Sequence, residues 1–175
     1  NGARNGAAAL IRRKGIEQMR YDFNADDVFE MALQLERNGA KFYQDAAASV
    51  EGDAAKQLLV KLANMETDHE KTFKEMRSDL AASEKQSTVF DPEGEAILYL
   101  RALADTRVFF EKEIDTTSLR EILKAAIEAE KDSIVFYLGM KEMVGEKLGK
   151  NRLEDIIKEE MGHIRMLSKE LVAFK

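Results

Sequence analysis

The chain has 175 residues with 27 basic against 33 acidic side chains, a formal net charge of −6, and no cysteine. Disulfide frameworks, thiolate-ligated zinc or iron–sulfur sites and thiol nucleophiles are therefore excluded, and any chemistry must rest on Glu, Asp, His or Tyr. The acidic balance disfavours nucleic acid as a partner, and no apolar run approaches the ~20 residues that cross a bilayer, so neither membrane span nor signal peptide is expected and a reducing cytoplasm suits the composition.

Residues 1–18 lack the patterning of the rest, and Met19 stands just ahead of the first good helix. The reading is that Met19 is the natural start, with 1–20 a leader or appended segment and 21–175 the domain. A single Pro, with Ala, Leu, Glu, Lys and Met abundant, indicates long helices. The first is predicted from the cap Asn24, with Asp26 and Asp27 at the positive end of its dipole, to about residue 50. After a break at 51–53, with Asp53 as the next cap, a second runs to about residue 82.

From 83 to 117 the pattern loosens. Residues 87–90 read as extended, and Asp91, Pro92 and Glu93 open a short helix over about 92–109. The glutamates of this stretch (Glu93, Glu95, Glu111, Glu113) read as a solvated face. A capping box, Ser118-x-x-Glu121, begins the third long helix, which runs to about residue 144; Gly145 and Gly149 mark a turn, and Asn151 opens the fourth. Two helix pairs joined by a long crossover define an all-α, ferritin-like four-helix bundle rather than the simple up-down form.

The only two histidines each follow a glutamate by three residues, in Glu66-x-x-His69 and Glu160-x-x-His163. These motifs are 94 residues apart, and the same offset carries Glu36 onto Glu130 and Tyr43 onto Tyr137, so one helix pair has been duplicated. At i±3, i±4 and i±7 the four glutamates have mostly apolar neighbours: Phe29, Leu33 and Ala40 for Glu36, Leu59, Leu62 and Phe73 for Glu66, Leu123, Ile127 and Ile134 for Glu130, and Leu153, Ile157 and Leu167 for Glu160. All four are predicted to face the core. No Lys or Arg shares those stripes, and buried carboxylates without compensation cost several kcal/mol each.

Two divalent metals supply the missing charge, +4 against −4, and two neutral imidazoles complete the set. Heights agree, because Glu36 lies 16 residues before Gly52 and Glu66 lies 14 after it, nearly level at ~1.5 Å per residue. An oxygen-rich dinuclear site with two imidazoles suits iron or manganese, while zinc competes on affinity. The methionines read as core filler.

The pattern Glu-x6-Tyr followed by Glu-x-x-His, repeated in the second half, resembles the rubrerythrin and ferritin-like diiron-carboxylate family over residues 24–172. The resemblance implies that Glu36 and Glu130 are terminal or semi-bridging ligands, that Glu66 and Glu160 bridge two iron ions, and that His69 and His163 each cap one. It implies that Tyr43 and Tyr137 donate hydrogen bonds to ligand carboxylates. Rubrerythrins also carry a further Glu three residues after the third-helix ligand, where this chain has Ser133, and a cysteine-ligated rubredoxin domain, which has no counterpart here.

The implied activity is reduction of hydrogen peroxide or dioxygen by a diferrous centre, with an external electron donor such as a rubredoxin. Two alternatives stay open: a ferroxidase or iron-storage protein, and a metal-stabilised structural or sensory bundle. The resemblance also implies a homodimer, with helices exchanged through the crossover.

Overall fold

The computed structural model describes residues 25–80, 118–144 and 149–173, which form four long helices without strands. The readings made for the leader, for Asn24 and for 83–117 fall outside these residues. The helices are α1 (Ala25–Ser49), α2 (Asp53–Ser78), α3 (Leu119–Met143) and α4 (Lys150–Ala173).

Each helix buries one stripe. In α1 it runs through Ala25, Val28, Phe29, Ala32, Leu33, Glu36, Gly39, Ala40, Tyr43, Ala46 and Ala47, the i, i+3, i+4 pattern of an amphipathic helix. The α1–α2 turn differs by one residue from the sequence expectation. Gly52 is the N-cap, at φ 94°, and Asp53 is already the first helical residue. Reversing the chain within three residues needs a positive φ that glycine adopts without Cβ strain, and Asp53 then places its charge in the first turn.

Helix α2 ends at Ser78, earlier than expected, with Asp79 as C-cap. Ser118 caps α3 as anticipated, its hydroxyl accepting from the Glu121 backbone N–H at 3.4 Å, and Val144 leaves the helix in an extended conformation. Helix α4 starts at Lys150, one residue earlier than expected, after Gly149 at φ 95°.

Two apolar clusters fill the bundle. One gathers Val28, Phe29 and Leu33 from the start of α1, Phe73 and Met76 from the end of α2, Met140 from the end of α3, and Leu153 and Ile156 from the start of α4. The other gathers Ala46 and Val50, Leu59 and Leu62, Ile122 and Leu123, and Leu167 from the opposite ends. This end-for-end assignment makes α1 antiparallel to α2 and α3, and α4 parallel to α1. The chain leaves α2 at one end and enters α3 at the other, as a ferritin-like bundle with one long crossover requires.

Ion pairs tie the helices at the surface. The Arg77 guanidinium on α2 takes both carboxylate oxygens of Asp26 on α1, at 2.8 and 2.7 Å, and also reaches Glu30. Arg37 reaches Glu70 at 2.7 Å, and Arg152 joins α4 to Asp79 at 2.8 Å. No helix among the described residues is long and apolar enough to cross a membrane.

Candidate metal centre

Between the two apolar clusters lies a layer of charge. Glu36, Glu66, His69, Glu130, Glu160 and His163, one Glu from each of α1 and α3 and a Glu-x-x-His from each of α2 and α4, are all at most 4% exposed. The 3.6-residue repeat puts Glu66 and His69, three apart, on the same face of α2, and does the same for Glu160 and His163 on α4. Antiparallel pairing brings the four helices' contributions to one level.

His69 Nδ1 stands 3.1 Å from Glu160 Oε1, 3.5 Å from Glu36 Oε2 and 3.7 Å from Glu66 Oε2. His163 Nδ1 stands 2.8 Å from Glu160 Oε2, 3.2 Å from Glu66 Oε1 and 3.3 Å from Glu130 Oε1. The imidazoles lie nearly parallel, with centroids 5.6 Å apart and planes at 18°. Two quartets result, Glu36, Glu66, His69 and Glu160 in one, and Glu66, Glu130, Glu160 and His163 in the other, with donor atoms within 4.8 Å of one another in each. Glu66 and Glu160 belong to both.

The tyrosines cross the bundle. Tyr43 on α1 donates to Glu130 on α3, and Tyr137 on α3 donates to Glu36 on α1. Each phenol holds the outer carboxylate of the other repeat. Ser133 is buried in α3, and its counterpart 94 residues earlier is Gly39. A Cβ at Gly39 would come within 3.3 Å of Glu66 Cγ, so the bare backbone there lets Glu66 lie close against α1.

One partner was not anticipated from sequence. His69 Nε2–H donates to Glu159 Oε2 at 3.0 Å, from the residue immediately before Glu160. Glu159 sits on the outer side of α4, where a glutamate reads as a solvated charge. Only the repeat register singles it out, because the matching position holds Met65.

Protonation in this layer divides by position. Burial pushes Glu36 and Glu130 well above the usual carboxylate range, and the negative charges of Glu66 and Glu160 respectively add to it. Burial acts the same way on the shared pair, yet the imidazoles outweigh it: Glu66 falls below its ordinary value and Glu160 falls to about 2. For the imidazoles burial opposes charge, but the facing carboxylates win, raising His69 far above its ordinary value and His163 to about 12. Burial and the carboxylates they face raise both phenols, so Tyr43 and Tyr137 stay protonated donors.

Several of these buried atoms, although close to one another, make no aligned hydrogen bond: Glu36 Oε2, Glu66 Oε1, Glu160 Oε2, and Nδ1 of both His69 and His163. Buried polar atoms left in this way are costly in a dry interior. They all aim into the shared space between the helices, and a hard or borderline divalent cation is the partner that carboxylate and imidazole donors fit. The donor set can hold two such ions.

The Rubrerythrin family model matches residues 27–171. Among solved structures, the chain is similar to a ferritin-like diiron-carboxylate protein of Thermotoga maritima, with 26% identity and a TM-score of 0.62, over 85% of this chain and 95% of that one. No functionally curated protein matches the chain significantly.

Proposed function

The chain belongs to the Rubrerythrin family, and on that premise we propose that it is a non-haem diiron oxidoreductase that reduces hydrogen peroxide, with Glu36, Glu66, His69, Glu130, Glu160 and His163 as its metal ligands. The observation that carries this reading is the membership of Glu66 and Glu160 in both donor quartets. A carboxylate common to both quartets would serve as a ligand to two ions at once.

When bound, a ferrous pair supplies two electrons at adjacent positions, and with two protons these convert one hydrogen peroxide to two waters. The protein's own groups do the rest. Glu36 with His69, and Glu130 with His163, would offer each ion one carboxylate and one imidazole of its own. Tyr137 and Tyr43 hold Glu36 and Glu130 in orientation from across the bundle. Leu33, Phe73 and Tyr137 on one side, with Leu59, Leu62 and Leu123 on the other, keep bulk water from the layer. Electrons to reset the pair come from outside these 175 residues, from a donor such as a rubredoxin, since the sequence has no cysteine to ligate a relay centre.

The test is stopped-flow reoxidation of protein loaded anaerobically with two Fe²⁺ per chain, comparing hydrogen peroxide with dioxygen at equal concentration. Much faster oxidation by peroxide is expected. Faster oxidation by dioxygen moves the assignment to a ferroxidase or oxidase, and failure to bind two irons removes both.

A further inference from the structure

The six converging side chains obey the 94-residue repeat, but their surroundings do not. His69 presents Nδ1 to the carboxylates and donates from Nε2 to Glu159 Oε2 at 3.0 Å. His163 also presents Nδ1 to the carboxylates, yet its Nε2 is buried with no hydrogen-bond partner among the described residues. The residue that corresponds to Glu159 in the first repeat is Met65, which has no carboxylate to offer. One imidazole is therefore clamped between the bundle interior and a carboxylate, and the other has no such partner on its distal nitrogen among the described residues.

A carboxylate on the distal nitrogen does two things to a ligating imidazole. It fixes the tautomer and the ring angle, so less rotational freedom is lost when a metal binds, and it makes the proximal nitrogen a better donor. Glu159 is suited to this because it comes from α4 while His69 belongs to α2, so the contact also fixes the ring against the opposite helix pair. Its side chain is 54% exposed, so it does not pay the full desolvation cost of a buried charge.

We infer that Glu159 is a positioning residue for His69 and that it makes the two metal positions inequivalent, the His69 position taking a divalent cation first. This inference rests on the reading of the layer as a dimetal site. Broken symmetry of this kind gives the pair an order of filling that the ligand set alone, identical in the two repeats, does not supply.

The test uses the full metal-free chain titrated with Co²⁺, followed by calorimetry and visible absorption, in wild type, Glu159→Ala, Glu159→Gln, His69→Ala and His163→Ala. Glu159→Ala is expected to weaken the first Co²⁺ by about 10–100-fold. Glu159→Gln, which can still accept from Nε2–H, is expected to weaken it less. His69→Ala should weaken the first ion more than His163→Ala does. With one Co²⁺ bound, the proton NMR spectrum of the wild type should show one slowly exchanging, hyperfine-shifted imidazole N–H, and that resonance should vanish in Glu159→Ala.

Unchanged affinity for the first ion in Glu159→Ala, or equal losses in the two histidine variants, overturns the inference. Those outcomes leave two ions bound and the dimetal reading intact. A wild type that binds no Co²⁺ overturns the dimetal reading instead, and this inference with it.

Discussion

Tyr43 donates its phenolic hydrogen bond to Glu130, a carboxylate of the other repeat, while Tyr137 returns the same bond to Glu36. The tyrosines thereby couple the two outer carboxylates across the α1–α3 gap. Tyr43→Phe leaves Glu130 buried with one fewer donor, an unsatisfied group that costs about 1–3 kcal/mol. The expected outcome is a loss of that size in urea unfolding of the metal-free protein, with metal affinity lowered about 10–100-fold. Tyr137→Phe should behave alike through Glu36, and a variant with unchanged unfolding midpoint and metal affinity would show the bond to be incidental.

Shared membership makes Glu66 different in kind from Glu36. Glu66→Ala withdraws a donor from both quartets, and tight binding of both ions should be lost. Glu36→Ala withdraws one from the His69 quartet only, so one ion should remain. Metal content by elemental analysis after gel filtration distinguishes them, and two tightly held ions in Glu66→Ala contradict the assignment of that residue.

Stability of the metal-free protein and affinity for the metal should respond oppositely to pH. His69, His163, Glu36 and Glu130 all have raised values in the fold, so their stabilising contributions are present below the unfolded values, 6.5 for the imidazoles and 4.5 for the carboxylates. Those contributions are lost as pH rises through the folded values, about 12 for His163. The shared pair contributes the other way, with stability present above 4.5 and lost for Glu160 as pH falls toward about 2. Metal-free protein should therefore melt lower at pH 9 than at pH 6.

Two divalent ions would displace the protons held on the two imidazoles and on Glu36 and Glu130, because ligands must be deprotonated to bind. Metal affinity should accordingly rise with pH. Calorimetry in buffers of different ionisation enthalpy measures the proton release, and metal uptake without any release contradicts the protonation pattern.

Gly39→Ala sets two effects against each other. Alanine favours the helix by up to about 1 kcal/mol, but its Cβ would lie 3.3 Å from Glu66 Cγ and force that side chain aside by a few tenths of an ångström. A Glu66 without metal can yield, whereas a Glu66 pinned by two ions cannot. The gain in melting temperature on adding Zn²⁺ should therefore be smaller in Gly39→Ala than in wild type, and an equal gain shows that Glu66 has room to spare.

Sequence alone determined the four described helices, to within a few residues, and which of their positions face inward. Apolar residues at i, i+3 and i+4 mark one stripe per helix, and a glutamate inside such a stripe is conspicuous because burial is costly for it, so the pattern itself makes Glu36, Glu66, Glu130 and Glu160 core-facing, as they are in the fold. The 94-residue offset, together with short breaks inside each pair and a long one between them, was enough for the ferritin-like order of helices. Local reading was weaker at the turns, where Gly52 rather than Asp53 caps α2 because the positive φ, invisible in composition, decides where the helix can begin.

Only the tertiary structure decided which groups touch. Tyr43 lies two turns along α1 from Glu36, too far to serve it, and reaches Glu130 only because α1 and α3 run antiparallel at matched height. Glu159 reads as a surface charge until the rotation of α4 against α2 brings it within 3.0 Å of His69. Helical periodicity defines a direction from each axis, but contacts across a bundle depend on the axial shift and rotation between helices to within about an ångström, and those are set by the packing of all four stripes together.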